Sequence, residues 1–126
     1  MVALNVYAAW VGMLLGCVAG AVGGLFFHRE DWLNGYGSWR RRMWRLGHIS
    51  FFGIAFMNIA FVFSAGALGI ERGLAFPSRA LIAGAITMPL ICYLSAIRPG
   101  FRHFFFIPVL SVLAGIGGFL WAMVGR

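Results

Sequence analysis

The stretch that decides the fold runs from Leu46 to Leu68 and reads LGHISFFGIAFMNIAFVFSAGAL. It contains no Asp, Glu, Lys or Arg. At about 1.5 Å of rise per residue, a helix of this length crosses the ~30 Å hydrocarbon core of a bilayer. An irregular segment is excluded there, because each unpaired backbone group in hydrocarbon costs several kcal/mol. We therefore predict a transmembrane helix over this stretch.

Three further apolar runs flank it and predict spans over about 4–27, 80–97 and 101–124. The sequence Arg98-Pro99-Gly100 forms the turn between the last two. The chain of 126 residues is 62% hydrophobic and 10% charged, with a mean hydropathy of +0.91, whereas soluble domains carry about 25% charged residues. We expect a single all-α domain over residues 1–126, a bundle of four transmembrane helices.

The ten basic residues are all arginine, and their placement predicts an orientation. Seven lie after the first span or around the turn after the third: Arg29, Arg40, Arg41, Arg42, Arg45, Arg98 and Arg102. Because basic residues accumulate in cytoplasmic loops, we expect both termini on the non-cytoplasmic side of a bacterial-type inner membrane. The same placement accounts for the net charge of +7 without a nucleic-acid partner.

The segment 29–45 is the one long polar stretch between the predicted spans. It interleaves aromatic and basic residues: Trp39, Arg40, Arg41, Arg42, Trp44 and Arg45. Such a segment lies along the headgroups, where each arginine near anionic lipid contributes about 1 kcal/mol. We expect an interfacial cytoplasmic loop whose side chains face lipid or dock a partner subunit.

The first span carries Gly12, Gly16, Gly20 and Gly24 at a strict spacing of four. Small residues at this spacing let a second helix approach closely in a membrane. We expect these glycines to form a helix-packing face. The pattern does not distinguish a helix of the same chain from a helix of another chain, and room for a flat cofactor is a further interpretation.

The three histidines fall at one end of the predicted bundle. His28 ends the first span, His48 opens the second and His103 opens the fourth. Axial ligation of haem iron requires two histidines at one depth on facing helices, so His48 with His103, or with His28, is a candidate haem b site. The other interpretation is that these histidines bond to carbonyls, headgroups or each other. A simple metal site is disfavoured, because no carboxylate or cysteine lies at ligand spacing.

Polar residues inside the spans are few. Asn58 of the second span lies about ten residues into the hydrocarbon. A buried amide needs a partner, so we expect it to point to a neighbouring helix. Four other polar residues can be satisfied locally: Thr87, Tyr93, Ser95 and Ser111. No charged residue lies in mid-span, which disfavours proton-coupled transporters.

The function expected from these features is that of a small non-catalytic subunit of a larger membrane complex, one that transfers electrons. No nucleophile–base pair or phosphate-binding loop marks an enzyme. One alternative is a haem b electron carrier that uses His48 and His103. A second alternative is a passive channel or a lipid-handling protein, which the small-residue helices keep open.

Overall fold

The computed structural model describes residues 2–125, and its long elements are all helices. The four α-helices are α1 (Val2–Gly24), α2 (Trp39–Ala67), α3 (Ala75–Ile97) and α4 (Phe106–Val124). Short 3-10 helices at Trp32–Asn34 and Pro99–Phe104 precede α2 and α4, and no strand occurs between residues 2 and 125. The all-helical prediction is confirmed, and four helical segments are long and apolar enough to cross a membrane.

Two helices begin earlier than hydropathy predicts. α2 starts at Trp39 rather than near residue 46, and α3 starts at Ala75 rather than near residue 80. The hydroxyl of Ser38 accepts a hydrogen bond from the backbone N–H of Arg41 and caps α2 at its first turn. Residues 39–45, expected in an interfacial loop, therefore form about the first two turns of a helix.

The central pair of the bundle is α2 with α3. α1 packs mainly on α2, and α4 packs mainly on α3. α1 contacts α3 where Ser78 donates a hydrogen bond to Asn5. α4 contacts α2 where the rings of Phe61 and Phe119 meet edge-to-face, with centroids 4.9 Å apart. Each outer helix thus contacts both central helices at one end of the bundle, which we call the core end.

The hydrophobic core lies at this core end. Its buried residues are Phe61, Ala65, Ile70, Leu74, Leu81 and Phe119. Gly115 lets α4 approach α3 closely, because a Cβ at this position would lie only 2.8 Å from Leu81 Cγ. The opposite end holds residues 20–51 and 90–105, and we call it the basic end.

A buried polar cluster joins three helices at the core end. Asn5 Nδ2 donates to Asn58 Oδ1 at 2.7 Å, and the Ser78 hydroxyl donates to Asn5 Oδ1. Asn58 Nδ2 donates in turn to the carbonyl oxygen of Ile54 at 2.9 Å. All three polar side chains are at most 1% exposed. The prediction that Asn58 points to a neighbouring helix is confirmed. Its partner Asn5, and Ser78, which bonds Asn5, are residues that the sequence does not single out.

Candidate functional site

The glycine face of α1 receives ring side chains from α2. A Cβ on Gly16 would lie 2.7 Å from the Phe52 ring, and one on Gly20 would lie 2.5 Å from His48 Cε1. Gly12 faces the backbone carbonyl of Phe51, at 3.6 Å from such a Cβ. These glycines therefore pack against a helix of the same chain, which the sequence left open.

Gly24, the fourth glycine of the predicted face, does not contact α2. A Cβ on Gly24 would meet nothing within 4 Å, whereas one on Gly23 would lie 2.5 Å from Trp44 Nε1. Each step of four residues turns an α-helix by about 40° beyond a full circle, so a strict spacing of four drifts off the contact line. A step of three from Gly20 to Gly23 returns the glycine to α2.

His48 occupies the notch that Gly20 leaves in α1. Its ring lies edge-to-face on Phe52 with centroids 5.4 Å apart, and its Nδ1 is buried without a hydrogen-bond partner among residues 2–125. His103 is exposed in the 3-10 helix Pro99–Phe104, which packs on α3, and His28 is exposed beyond α1. The described residues hold no group of three or more His, Cys, Asp or Glu placed to bind a metal ion. Haem ligation by His48 and His103 stays a prediction.

Arg41 is buried, although the sequence indicates a side chain that faces lipid or a partner. It is 1% exposed. Its guanidinium donates to the backbone carbonyl oxygens of Trp32, at 2.6 Å, and Arg29. It also lies over the rings of Phe27 and Trp32, 5.5 Å from each centroid. Both carbonyls also accept a long backbone hydrogen bond, from Trp32 N–H at 3.4 Å and from Gly35 N–H at 3.3 Å. Arg41 adds a charged donor to each of them and so ties the segment after α1 to α2.

Other members of the basic cluster also bind within the chain. Trp39 Nε1 donates to the carbonyl oxygen of Ser95, and Arg40 donates to that of Ile97, both at 3.3 Å. The last carbonyls of a helix lack helical partners and carry the negative end of its dipole, so these donors stabilise the end of α3. Arg45 lies over the Tyr36 ring at 4.5 Å. Of the four arginines between residues 40 and 45, Arg42 is the most exposed.

A continuous set of aromatic rings connects these elements. Trp32 stacks on Phe26 with centroids 5.6 Å apart and meets Trp44 edge-to-face at 5.4 Å. Trp44 in turn meets Tyr93 of α3 at 4.7 Å. Gly47 makes room for this contact, because a Cβ there would lie 3.0 Å from Tyr93 Cε2. The rings tie the segment after α1 to both central helices.

No family model, curated protein or solved structure matches the chain. The function therefore has to be inferred from the geometry of the site.

The basic end contains buried polar atoms that form no hydrogen bond with the rest of the described chain. Among residues 2–125, four buried polar atoms there have no hydrogen-bond partner: Arg45 Nη1, His48 Nδ1, the Tyr93 hydroxyl and the Ser95 hydroxyl. An unsatisfied buried group costs about 1–3 kcal/mol. The expectation of local partners is confirmed for Thr87 and Ser111, which donate to carbonyls four residues earlier, and is wrong for Tyr93 and Ser95. Residue type alone does not indicate which of these four side chains finds a local hydrogen-bond partner.

Two apolar grooves run along the outer helices. The first has a volume of about 570 Å³ and lies between α1 and α3, with Phe51 of α2 in its lining. The second has a volume of about 230 Å³ and lies between α2 and α4, with Leu81 of α3 in its lining. Neither groove is apparent from the sequence, because each depends on how the outer helices lean on the central pair.

Proposed function

We propose that the protein is a non-catalytic subunit of a larger membrane complex and that it binds a partner helix in the groove between α2 and α4. The observation that carries the proposal is the Ser64 hydroxyl, which lines this groove and has no hydrogen-bond partner among residues 2–125. Three other hydroxyls within the spans donate to a backbone carbonyl three or four residues earlier: those of Ser50, Thr87 and Ser111. Ser64 is thus free to donate across a helix–helix interface.

The lining of this groove suits a helix. Ala60 leaves space for close approach, and Met57 and Met123 carry flexible side chains that adapt to an opposing surface. On the same two helices, a Cβ on Gly53 of α2 or Gly117 of α4 would meet nothing within 4 Å. A second backbone can therefore approach both helices.

The wider setting of the proposal is an electron-transfer complex in a bacterial-type inner membrane, with the basic end in the cytoplasm. The seven arginines at that end support the orientation. The electron-transfer part depends on the histidines of the basic end, because haem-containing membrane complexes hold iron through histidine.

Copurification with a groove-filling variant tests the proposal. The chain is purified in mild detergent from its native membranes, as the wild type and as Ala60→Phe, which fills the α2–α4 groove. We expect the wild type to carry a membrane protein in fixed stoichiometry and Ala60→Phe to lose it. Ser64→Ala should weaken the association by about threefold, the size of one membrane hydrogen bond of ~0.6 kcal/mol.

The matched control is Ala85→Phe, which places the same ring in the other groove and should keep the partner. A monodisperse wild-type particle without any partner contradicts the proposal, and so does a partner that survives Ala60→Phe. The absorption spectrum separates the alternative function: a b-type band in the reduced-minus-oxidised spectrum that His48→Ala removes would favour the haem b carrier.

A further inference from the structure

The groove between α1 and α3 has the lining of a hydrocarbon site. Apart from Tyr7 and Tyr93, its lining residues are apolar, and Pro89 of α3 and Phe51 of α2 are among them. α1 and α3 run in the same direction, from the core end to the basic end, so the groove follows both helices lengthwise. This groove is distinct from the one to which we assign a partner helix.

The length of the groove matches one leaflet. Its lining extends from Leu4 to Leu15 on α1 and from Ile82 to Tyr93 on α3. Each helix therefore lines it over about 16 Å, at 1.5 Å of rise per residue. That is about half of a ~30 Å hydrocarbon core. A chain that enters at the core end would reach about the middle of the bilayer.

A cation lies where the groove meets the core end. An adjoining cavity of about 460 Å³ shares Leu4, Tyr7 and Ile82 with the groove, and its lining includes Arg79. Arg79 is exposed, and its guanidinium has no hydrogen bond or ion pair with any residue between 2 and 125. A guanidinium without a partner can donate two parallel hydrogen bonds to a phosphate.

We propose that this groove binds one anionic phospholipid, with an acyl chain along α1 and α3 and the phosphate on Arg79. The apolar lining and the one-leaflet length select a lipid chain over a soluble phosphate. The free guanidinium selects a headgroup with net negative charge over a zwitterionic one. Among the described residues, no arginine lines the α2–α4 groove, so that groove lacks this combination.

Lipid titration followed by native mass spectrometry tests the site. The full chain is delipidated in mild detergent and titrated with phosphatidylglycerol or with phosphatidylcholine of the same acyl chains. We expect one phosphatidylglycerol to bind about fivefold more tightly than phosphatidylcholine, the effect of one arginine near an anionic headgroup. Arg79→Gln should remove this preference and keep the weaker binding, whereas the control Arg72→Gln should retain the preference.

A second pair of variants locates the acyl chain. Ala85→Phe fills the α1–α3 groove and should lose both lipids, while Ala60→Phe in the other groove should bind as the wild type does. Equal affinities for the two lipids, or a preference that survives Arg79→Gln, would overturn the proposal. Displacement of the lipid by glycerol phosphate would overturn it in favour of a soluble phosphate. If Ala85→Phe fails to fold, the comparison of Arg79→Gln with Arg72→Gln still decides, because the exposed Arg79 guanidinium forms no hydrogen bond or ion pair within residues 2–125 and its loss should not affect folding.

Discussion

The two ends of the bundle bury polar groups in different ways. At the core end, Asn5, Asn58 and Ser78 satisfy one another beside an apolar core. At the basic end, Arg41 donates to backbone carbonyls of an irregular segment, and four other buried polar atoms in the described chain have no partner. The core end is thus stabilised by side-chain packing. The basic end is stabilised by hydrogen bonds between Arg41 and the segment that follows α1. We infer that the core end sets the global stability and that the basic end opens locally.

The first prediction tests the packing of the core end, where we expect the largest effect. Gly115→Val should lower the free energy of unfolding by about 3 kcal/mol, because overpacking of this kind is poorly relieved. A Cβ at Gly115 would lie 2.8 Å from Leu81 Cγ and 3.2 Å from the Leu81 backbone nitrogen, and the backbone cannot yield as a side chain can. Unfolding in SDS, followed by circular dichroism, measures the change.

The control for this prediction is Gly117→Val, two residues along the same helix. A Cβ on Gly117 would meet nothing within 4 Å, so the variant carries the same change in side chain without the clash. Equal destabilisation by the two variants would show that the approach of α4 to Leu81 does not limit the stability of the core end.

The second prediction tests the hydrogen bonds that join Arg41 to the segment after α1 at the basic end. Arg41→Met removes the donors to Trp32 and Arg29 and should cost about 2 kcal/mol, the worth of hydrogen bonds from a charged group. Because the loss is local, amide exchange in residues 25–38 should accelerate by about 30-fold while α4 keeps its protection. Hydrogen–deuterium exchange resolves the two regions. Arg42→Met, at an exposed neighbour, should leave both unchanged, and an equal loss of protection in α4 would contradict the division into two ends.

The number of long helices could be predicted from the sequence, because the length of each apolar run can be counted along it. The start of α2 could not be predicted from hydropathy, since Arg40, Arg41 and Arg42 lower the average there. Ser38 is the local signal that does mark this start, because a serine accepts the N–H groups that open a helix.

The inward direction of Arg41 could not be predicted. The carbonyls that it binds, those of Arg29 and Trp32, precede a turn in which Leu33 and Asn34 adopt positive φ, and neither residue type requires that conformation. The partner of Asn58 could not be predicted from the sequence either, because the rotation of each helix about its axis is set by its packing against the other helices. The glycine face could be predicted in kind, but its contacts with α2 leave the strict spacing of four after Gly20, because that spacing and the helical period diverge.

The third prediction measures the polar cluster of the core end directly. Asn58→Ala and Asn5→Ala should each lower the free energy of unfolding by about 1 kcal/mol, since hydrogen bonds between membrane helices average ~0.6 and reach ~1.7 kcal/mol. The double variant should lose less than the sum, with a coupling energy of about that size. Additive losses would mean that the 2.7 Å contact between the two amides contributes nothing.

The fourth prediction concerns the contact between α1 and α2 at Gly20. Gly20→Ala should cost about 1 kcal/mol, because the new Cβ would lie 2.5 Å from His48 Cε1 and the imidazole has to move. Gly24→Ala should be neutral or slightly stabilising, because alanine favours a helix over glycine and nothing lies within 4 Å of its Cβ. In the Gly20→Ala background, His48→Ala should recover the loss. The opposite result, a loss in the free energy of unfolding for Gly24→Ala and none for Gly20→Ala, would contradict this prediction. It would mean that a helix of another chain packs on the glycines spaced by four, so that this face of α1 forms an interface between chains.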